Sequence, residues 1–369
     1  MKLAPALRLG HLAPPPPPPP VVSFFEFWPG WLFYAPVVAQ WIALGLRYGD
    51  LSLPTAANPT IDLGGLCGES KREILDQVVG AERDLLARYT SIVTHRDDPA
   101  ADLAAAEDAV ARAGLGYPLV VKPDIGCNGT GVRLVDDSAA LARYLSGFPR
   151  GAGVLLQEYV PEEGEAGLFY VRHPEEPRGR ITSITLKYPP FVTGNGRSTL
   201  RQLILEDPRA GRVSDLYLPR LAHRLDEVPH QGELVRLVFV GNHCKGSIFR
   251  NGTGLATERL SDRIELLARA LPEFWFGRID VRFGSVQRLA RGEGFRVIEI
   301  NGVGSEATHI WDPATPLREA WRAQFFHYGS AFRIAAANRA RGFRPAGVRA
   351  MWQHWRQQKR LMAAYPMND

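Results

Sequence analysis

Phe276-Gly-Arg-Ile-Asp-Val-Arg282 and Arg296-Val-Ile-Glu-Ile-Asn301 are the two stretches on which the fold turns. Arg278 and Asp280 alternate with Ile279 and Val281, and Glu299 and Asn301 alternate with Ile298 and Ile300. A β-strand sends successive side chains to opposite faces, so period two predicts two strands with Arg, Asp, Glu and Asn on one side and four β-branched residues on the other. A buried face holding two carboxylates and an amide is costly unless something satisfies it. An oxygen-only cluster suits Mg²⁺, which is usually held together with nucleotide phosphates. The competing reading at this point is a solvated hairpin face, since alternation is also how half-exposed strands look.

A second stretch shifts the balance. Pro118-Leu-Val-Val-Lys122-Pro-Asp is a short apolar strand that reaches a lysine, and Gly126-Cys-Asn-Gly129-Thr-Gly131 follows before Val132-Arg-Leu-Val resumes strand character. A P-loop or dinucleotide-binding loop leads from a strand into a helix, and neither pattern fits. A glycine-rich loop between two strands can still close over phosphates through backbone N–H groups, with Lys122 as a point charge. An ordinary glycine-rich hairpin turn is the bland alternative.

In order along the chain, Leu119-Val-Val-Lys122-Pro, the glycine loop, Leu155-Leu-Gln-Glu158-Tyr-Val160, Lys187, Arg278-Ile-Asp280 and Glu299-Ile-Asn301 resemble the ATP-grasp superfamily of D-alanine–D-alanine ligase, glutathione synthetase and cyanophycin synthetase. Val192 to Ile204 looks like a segment of the cyanophycin synthetase branch, with Asn195 where that branch usually has Asp. The resemblance implies an α/β (α+β) ATP-grasp fold in which two subdomains clasp ATP. It implies that Lys122 and Lys187 contact the phosphates, that Gly126, Gly129 and Gly131 form a flap, and that Glu158, Tyr159 and Val160 form the hinge receiving adenine. Glu165 would reach the ribose, and Asp280, Glu299 and Asn301 would hold Mg²⁺, with Mn²⁺ as an alternative ion. Arg278 would face the transferring phosphoryl group. Gly304 and Ser305, in Asn301-Gly-Val-Gly-Ser-Glu306, would offer backbone N–H groups to an oxyanion. Glu306 departs from the ligase pattern, and a carboxylate there would either disfavour an anionic substrate group or help to bind an amine.

The implied chemistry is ATP-dependent ligation: a small-molecule carboxylate is activated as an acyl phosphate and joined to an amine, with release of ADP and phosphate. Such a reaction needs positioning and charge neutralisation and no covalent nucleophile. An ATP-grasp phosphotransferase and a non-catalytic nucleotide-binding scaffold are the alternatives.

With 369 residues, 45% of them hydrophobic, the chain can bury a sizeable core. Cys67, Cys127 and Cys244 are far apart and odd in number, which supports neither a disulfide framework nor a CxxC zinc site and points to a reducing compartment. Cys127 reads as a small space-filling residue of the flap. The histidines show no ligand-like spacing. Of the net charge of +5, the segment 313–369 carries ten Arg and Lys against Glu319 and Asp369. No nucleic-acid motif accompanies that basicity, so no nucleic acid is expected as a partner.

Four units are expected. Residues 1–50 hold a proline run, Pro14 to Pro20, and then 20 uncharged residues from Phe27 to Leu46, rich in aromatics. Pro29 and Pro36 argue against a spanning helix, so an interfacial aromatic segment is expected, with packing on the core as the competing reading. Residues 51–113 form a small α/β unit, with a capping box at Ser70–Glu73 and an Asp98-Pro99 start to an alanine-rich helix that Gly114 stops. Glu69, Ser70 and Lys71 are polar candidates to line the acceptor site. Residues 114–312 are the ATP-grasp domain, where Arg236 and Arg250 lie on or after predicted strands and surface roles are expected for them, with substrate binding as the alternative. Residues 313–369 are a basic amphipathic helical tail, either packed or lying on a membrane surface. A cytoplasmic location, at the membrane's inner face, follows from these readings; oligomeric state does not.

Overall fold

The structure is a computed structural model that describes residues 22–95, 98–239 and 241–367. The proline run Pro14–Pro20 lies outside the described residues. Strands β1 (Tyr89–Val93), β2 (Leu119–Pro123), β3 (Arg133–Val135) and β4 (Gly153–Glu158) form an antiparallel sheet in the order β1-β4-β2-β3. Strands β5 (Gly164–Val171), β6 (Arg180–Tyr188), β9 (Ile248–Asn251), β10 (Phe276–Phe283) and β11 (Phe295–Asn301) form a second, in the order β11-β10-β5-β6-β9. A small pair, β7 (Phe191–Thr193) with β8 (Leu234–Arg236), stands apart. The helices are α1 (Gly30–Tyr48), α2 (Lys71–Asp76), α3 (Pro99–Arg112), α4 (Ser138–Ser146), α5 (Leu200–Glu206), α6 (Ser214–Arg220), α7 (Glu258–Ala270), α8 (Val286–Ala290), α9 (Leu317–Ala340) and α10 (Val348–Ala364).

Each sheet is built around its own apolar cluster. On the first, Leu119, Val121, Val154 and Leu156 meet Ala106 and Val110 of α3 and Leu141 and Leu145 of α4. On the second, Leu168, Ile279, Val281, Val297 and Ile300 meet Ile264 and Leu267 of α7. The second sheet is therefore sealed on one face, and its opposite face keeps the polar row. The two sheets are joined by the short crossing from Glu158 to Gly164.

Local chemistry places the helix ends where the sequence puts them. The Asp98 carboxylate accepts from Ala100 and Ala101 N–H at 3.1 and 3.0 Å, with Pro99 in the first turn, and Gly114 follows the end of α3 at φ +63°. Ser70 Oγ accepts from Glu73 N–H at 3.1 Å, which is the Ser half of the expected capping box. Asn195 forms an Asx turn, accepting from the N–H groups of Arg197 and Ser198 at 2.9 and 2.7 Å. It delivers the chain to a capping box between Thr199 and Gln202 that opens α5.

The interfacial reading of the N-terminal aromatic segment is corrected. Its aromatic residues pack on the protein: Phe33 lies 4.7 Å from Trp311, Trp41 lies 5.2 Å from Phe332, and Trp321 Nε1 donates to Phe33 O at 3.0 Å. Phe25, Phe33 and Val37 are buried, while Trp31, Val38, Ile42 and Leu46 form the outward side. Among the described residues no helix is long and apolar enough to cross a membrane. The basic tail also packs. Tyr365, just beyond α10, stacks on Phe148 at 5.0 Å and donates to Ile125 O at 2.7 Å.

Candidate active site

The polar row forms as the alternation predicts, with one change of register. Arg278 pairs with Asn301 and Asp280 with Glu299 across β10 and β11, so the four side chains share a face. Between Asp280 and Val281 the ladder shifts, and Val297 takes the place opposite Val281 that strict alternation assigns to Ile298. The expectation that Ile298 joins the core is thus corrected: Val297 is buried there, while Ile298 is half-buried. A bulge leaves its extra residue off the ladder. The freed Ile298 carbonyl accepts from Lys122 Nζ at 2.9 Å, which ties the first sheet to the second at the site.

Asp280 is the electrostatic centre. Arg278 Nε and Nη2 reach its carboxylate at 3.0 Å each, Lys187 Nζ reaches it at 3.0 Å, and Asn301 Nδ2 donates at 3.3 Å. Burial alone would raise the Asp280 carboxyl, but Arg278 and Lys187 outweigh it and hold the group down at about 2. Burial likewise opposes the charge on Lys187, yet Asp280 and Glu165 overcome it and raise the lysine above its ordinary value. The Arg278–Asp280 pair lies over Gly167 of the neighbouring strand, where any Cβ would come within 2.9 Å of Arg278 Cδ and Asp280 Oδ1. Glycine is needed there to let the pair lie flat.

Lys122 is buried and meets only neutral acceptors, Gln157 Oε1 at 3.0 Å and Ile298 O. Burial pushes its ammonium down to about 8 from an ordinary 10.5. Two consequences of opposite sign follow. If Lys122 supplies charge to ATP phosphates, nucleotide affinity falls as pH rises through about 8 and the charge is lost. Fold stability moves the other way: between about 8 and 10.5 the unfolded chain binds more protons at this site than the folded one, so this group favours folding increasingly as pH rises. KM for ATP is expected to climb from pH 8 to 9.5 by up to about tenfold per unit, with no loss in Tm traceable to Lys122. A Lys122→Arg variant whose profile is as steep as wild type would refute the assignment.

Three further sets of expected residues lie beside this centre. Glu165, opposite Lys187 on β6, is bonded to it at 3.0 Å. Gly126, Gly129 and Gly131 adopt positive φ in the flap, at +154°, +66° and +73°. Lys71 Nζ donates to Gly126 O at 2.5 Å and lies 3.9 Å from Glu299, while Ser70 Oγ donates to Asp124 at 2.7 Å. The 69–71 segment therefore fastens the root of the flap to the polar row. Beside it, Glu69 Oε2 is buried without a partner, and burial pushes the Glu69 carboxyl up.

The hinge residues lie on the crossing between the sheets. Glu158, however, is already engaged: its N–H donates to Arg88 O at 2.8 Å, and its carboxylate accepts from Arg88 N and Nε at 2.9 Å. That leaves Tyr159 and Val160 for an adenine. The oxyanion role expected of Gly304 and Ser305 is corrected. Gly304 N–H donates to Gly65 O at 2.7 Å and Ser305 N–H to Gly302 O at 3.1 Å, so both donors are spent in the backbone. The loop packs main chain to main chain on residues 64–66; a Cβ at Gly302 would stand 2.2 Å from Gly64 O.

Arg282, Gln157 and Tyr34 stand at the site without having been singled out by the sequence. Arg282 continues the 278–280 alternation, and that period was the available signal. It is buried, its Nε has no partner, and its guanidinium stands 5.6 Å from the Tyr159 ring. Arg236 and Arg250 are not surface residues, as was expected: burial and then the Arg282 charge push Arg236 down to about 10, and Arg250 is held by Asp312 at 3.3 Å. Nothing local in the sequence marks Tyr34, which arrives from α1.

Two antiparallel sheets carry the site, the first with a glycine loop and a buried lysine and the second with an acid–arginine–lysine face. No protein-family profile matches the chain. Over 158 residues it is 28% identical to the cyanophycin synthetase of Trichormus variabilis, covering 38% of this chain and 17% of that protein. Over 161 residues it is 27% identical to that of Geminocystis herdmanii, covering 38% and 18%. The chain thus spans under a fifth of the length of these curated relatives. Among solved structures, the D-Ala:D-Ser ligase of Enterococcus faecalis is similar at 13% identity over 73% of this chain and 64% of that one, with a TM-score of 0.39. The bifunctional glutathione synthetase of Pasteurella multocida matches at 17% identity over 69% and 35%, with a TM-score of 0.36.

Proposed function

We propose that the protein is an ATP-dependent carboxylate–amine ligase that forms ADP. The observation that carries this reading is the convergence of Asp280, Glu299, Asn301, Arg278, Lys187 and Lys122 where Lys122 of the first sheet reaches β11 of the second. A substrate carboxylate oxygen attacks the γ-phosphorus of ATP, the bond to the β-phosphate oxygen breaks, and ADP leaves. The amine then adds to the acyl-phosphate carbonyl, phosphate departs, and the nitrogen gives up its extra proton. Arg278 lies beside the phosphoryl group in flight, while Lys122 and Lys187 bind and orient the phosphates. Lys71 keeps the flap root against Glu299.

Asp280, Glu299 and Asn301 fit Mg²⁺ as a set of hard oxygen donors that a metal meets together with nucleotide phosphates. Among the described residues no group of three His, Cys, Asp or Glu side chains is placed to hold a metal ion, so the set would rest on the two carboxylates with the Asn301 amide oxygen. Bound there, Mg²⁺ would neutralise charge on the β- and γ-phosphate oxygens. A scaffold that only bound nucleotide would have little use for Arg278 held flat over Gly167 by Asp280.

The test is to incubate the protein with Mg²⁺-ATP, a panel of carboxylic acids and hydroxylamine. ADP and acyl hydroxamate are expected in equal amounts. AMP with pyrophosphate, or a stable phosphorylated product that hydroxylamine does not intercept, would refute the acyl-phosphate route.

A further inference from the structure

A glycine-rich loop has few side chains with which to fix itself, and glycine loses more conformational freedom on ordering than any other residue. The flap between Ile125 and Gly131 is nevertheless gripped at both roots by tyrosines from outside it. Tyr144 of α4 donates from its hydroxyl to Gly131 O at 2.8 Å, and Tyr365, just beyond α10, donates to Ile125 O at 2.7 Å. Phe148 links the two rings, its centroid lying 5.4 Å from that of Tyr144 and 5.0 Å from that of Tyr365. All three rings are buried, so packing aims both hydroxyls at the flap.

The flap glycines also let α10 and the turn beyond it come close. A Cβ at Gly126 would stand 3.5 Å from Tyr365 Cε2, and one at Gly131 would stand 3.3 Å from Tyr365 Cβ. Cys127 Sγ lies 3.7 Å from Met362 Sδ on α10, and Arg133, which takes the chain from the flap into β3, donates from Nε to Met367 O at 2.8 Å. The other half of α10 is fastened elsewhere: His354 Nδ1 lies 3.3 Å from Asp62, and Met351 O lies 3.8 Å from Cys67 Sγ. Between Asp62 and Cys67 run residues 64–66, on which the loop after β11 is packed: Val303 N–H donates to Gly64 O at 3.1 Å and Gly304 N–H to Gly65 O at 2.7 Å. α10 therefore ties the flap of the first sheet to the loop that follows the polar row of the second.

We propose that Tyr365, carried by α10, is a positioning residue for the ATP site and holds the glycine flap in place before nucleotide arrives. Its hydroxyl fixes one root of the flap as Tyr144 fixes the other. The backbone N–H groups of the flap then meet phosphate without first having to be ordered, and preorganisation of this kind appears as affinity. The role toward nucleotide rests on the ligase reading, whereas the hold on the flap stands on the contacts themselves.

The experiment follows backbone hydrogen exchange by mass spectrometry in the full chain without nucleotide, in a peptide covering the flap and in one covering residues 62–68 at the far end of α10. In the flap, the N–H groups of Thr130 and Val132 bond to Cys127 O and Gly129 O and report its opening. Tyr365→Ala is expected to speed flap exchange by at least about tenfold. Tyr365→Phe, which keeps the ring on Phe148 and loses only the bond to Ile125 O, should speed it by about two- to tenfold. Exchange in residues 62–68 should change by less than about twofold in Tyr365→Phe. Titration calorimetry should show the Kd for Mg²⁺-ATP rising about tenfold in Tyr365→Ala, while KM for the carboxylic acid in the hydroxamate assay moves by less than about twofold. Unchanged flap exchange in Tyr365→Ala would overturn the proposal. So would an equal rise in both peptides of Tyr365→Phe, which would mean that α10 loosens as a whole, or an unchanged Kd for ATP in a variant whose flap exchanges faster. A wild-type protein that binds no Mg²⁺-ATP would overturn the ligase reading, and the role toward nucleotide with it, whatever the flap exchange shows.

Discussion

Asp280→Asn and Glu299→Gln should each cut ATP turnover by about 10²- to 10³-fold, equivalent to about 3–4 kcal/mol of lost transition-state stabilisation, and yet differ in what they do to the fold. The Asp280 carboxylate holds two cations, half-buried Arg278 and buried Lys187, at 3.0 Å each. Removing its charge leaves both uncompensated, and breaking a buried pair from one side costs about 3 kcal/mol or more. Glu299 is paired only loosely, with Lys71 at 3.9 Å and 27% of its side chain exposed, and lends longer-range charge to Lys122 and Arg278, so its loss should change stability by less than about 1 kcal/mol. Tm and turnover measured on the two variants separate these effects. Wild-type-like turnover in either would remove that residue from the proposed metal set, and an unchanged Tm in Asp280→Asn would refute the account of the buried charge triad.

Arg278→Ala should lower kcat by about 10³-fold, the scale on which an arginine facing a transferring phosphoryl group acts, while KM for ATP shifts by less than about threefold. The split follows from geometry. In the structure the guanidinium is held in a fixed plane by Asp280 and by the Glu306 carbonyl, so it is poised for charge that develops there and contributes little to ground-state binding. Arg278→Lys should recover little, because an ammonium cannot reproduce the forked contact with Asp280. Single-turnover and steady-state kinetics distinguish the outcomes. A variant altered only in KM would place Arg278 in nucleotide binding and not in the chemistry.

The two strands and their shared polar face could be read from the sequence because β-strand alternation is a local property: four residues at 278, 280, 299 and 301 suffice to state it. The glycine flap, the start and stop of α3 and the paired charges of the site were open to the same kind of reading, since capping and turn chemistry act over three or four residues. What tertiary structure decided was everything that depends on a partner distant in the chain. The bulge at Ile298, which turns a core residue into the acceptor for Lys122, is a register choice made between strands. The donors of Gly304 and Ser305 looked free in sequence and are consumed when their loop lies against residues 64–66 and folds back on Gly302. The aromatic stretch of α1 has the composition of a membrane interface, but composition is indifferent to which apolar surface covers it. Here Trp311, Trp321 and Phe332 do so, and that docking carries Tyr34, 272 residues away along the chain, to Glu306.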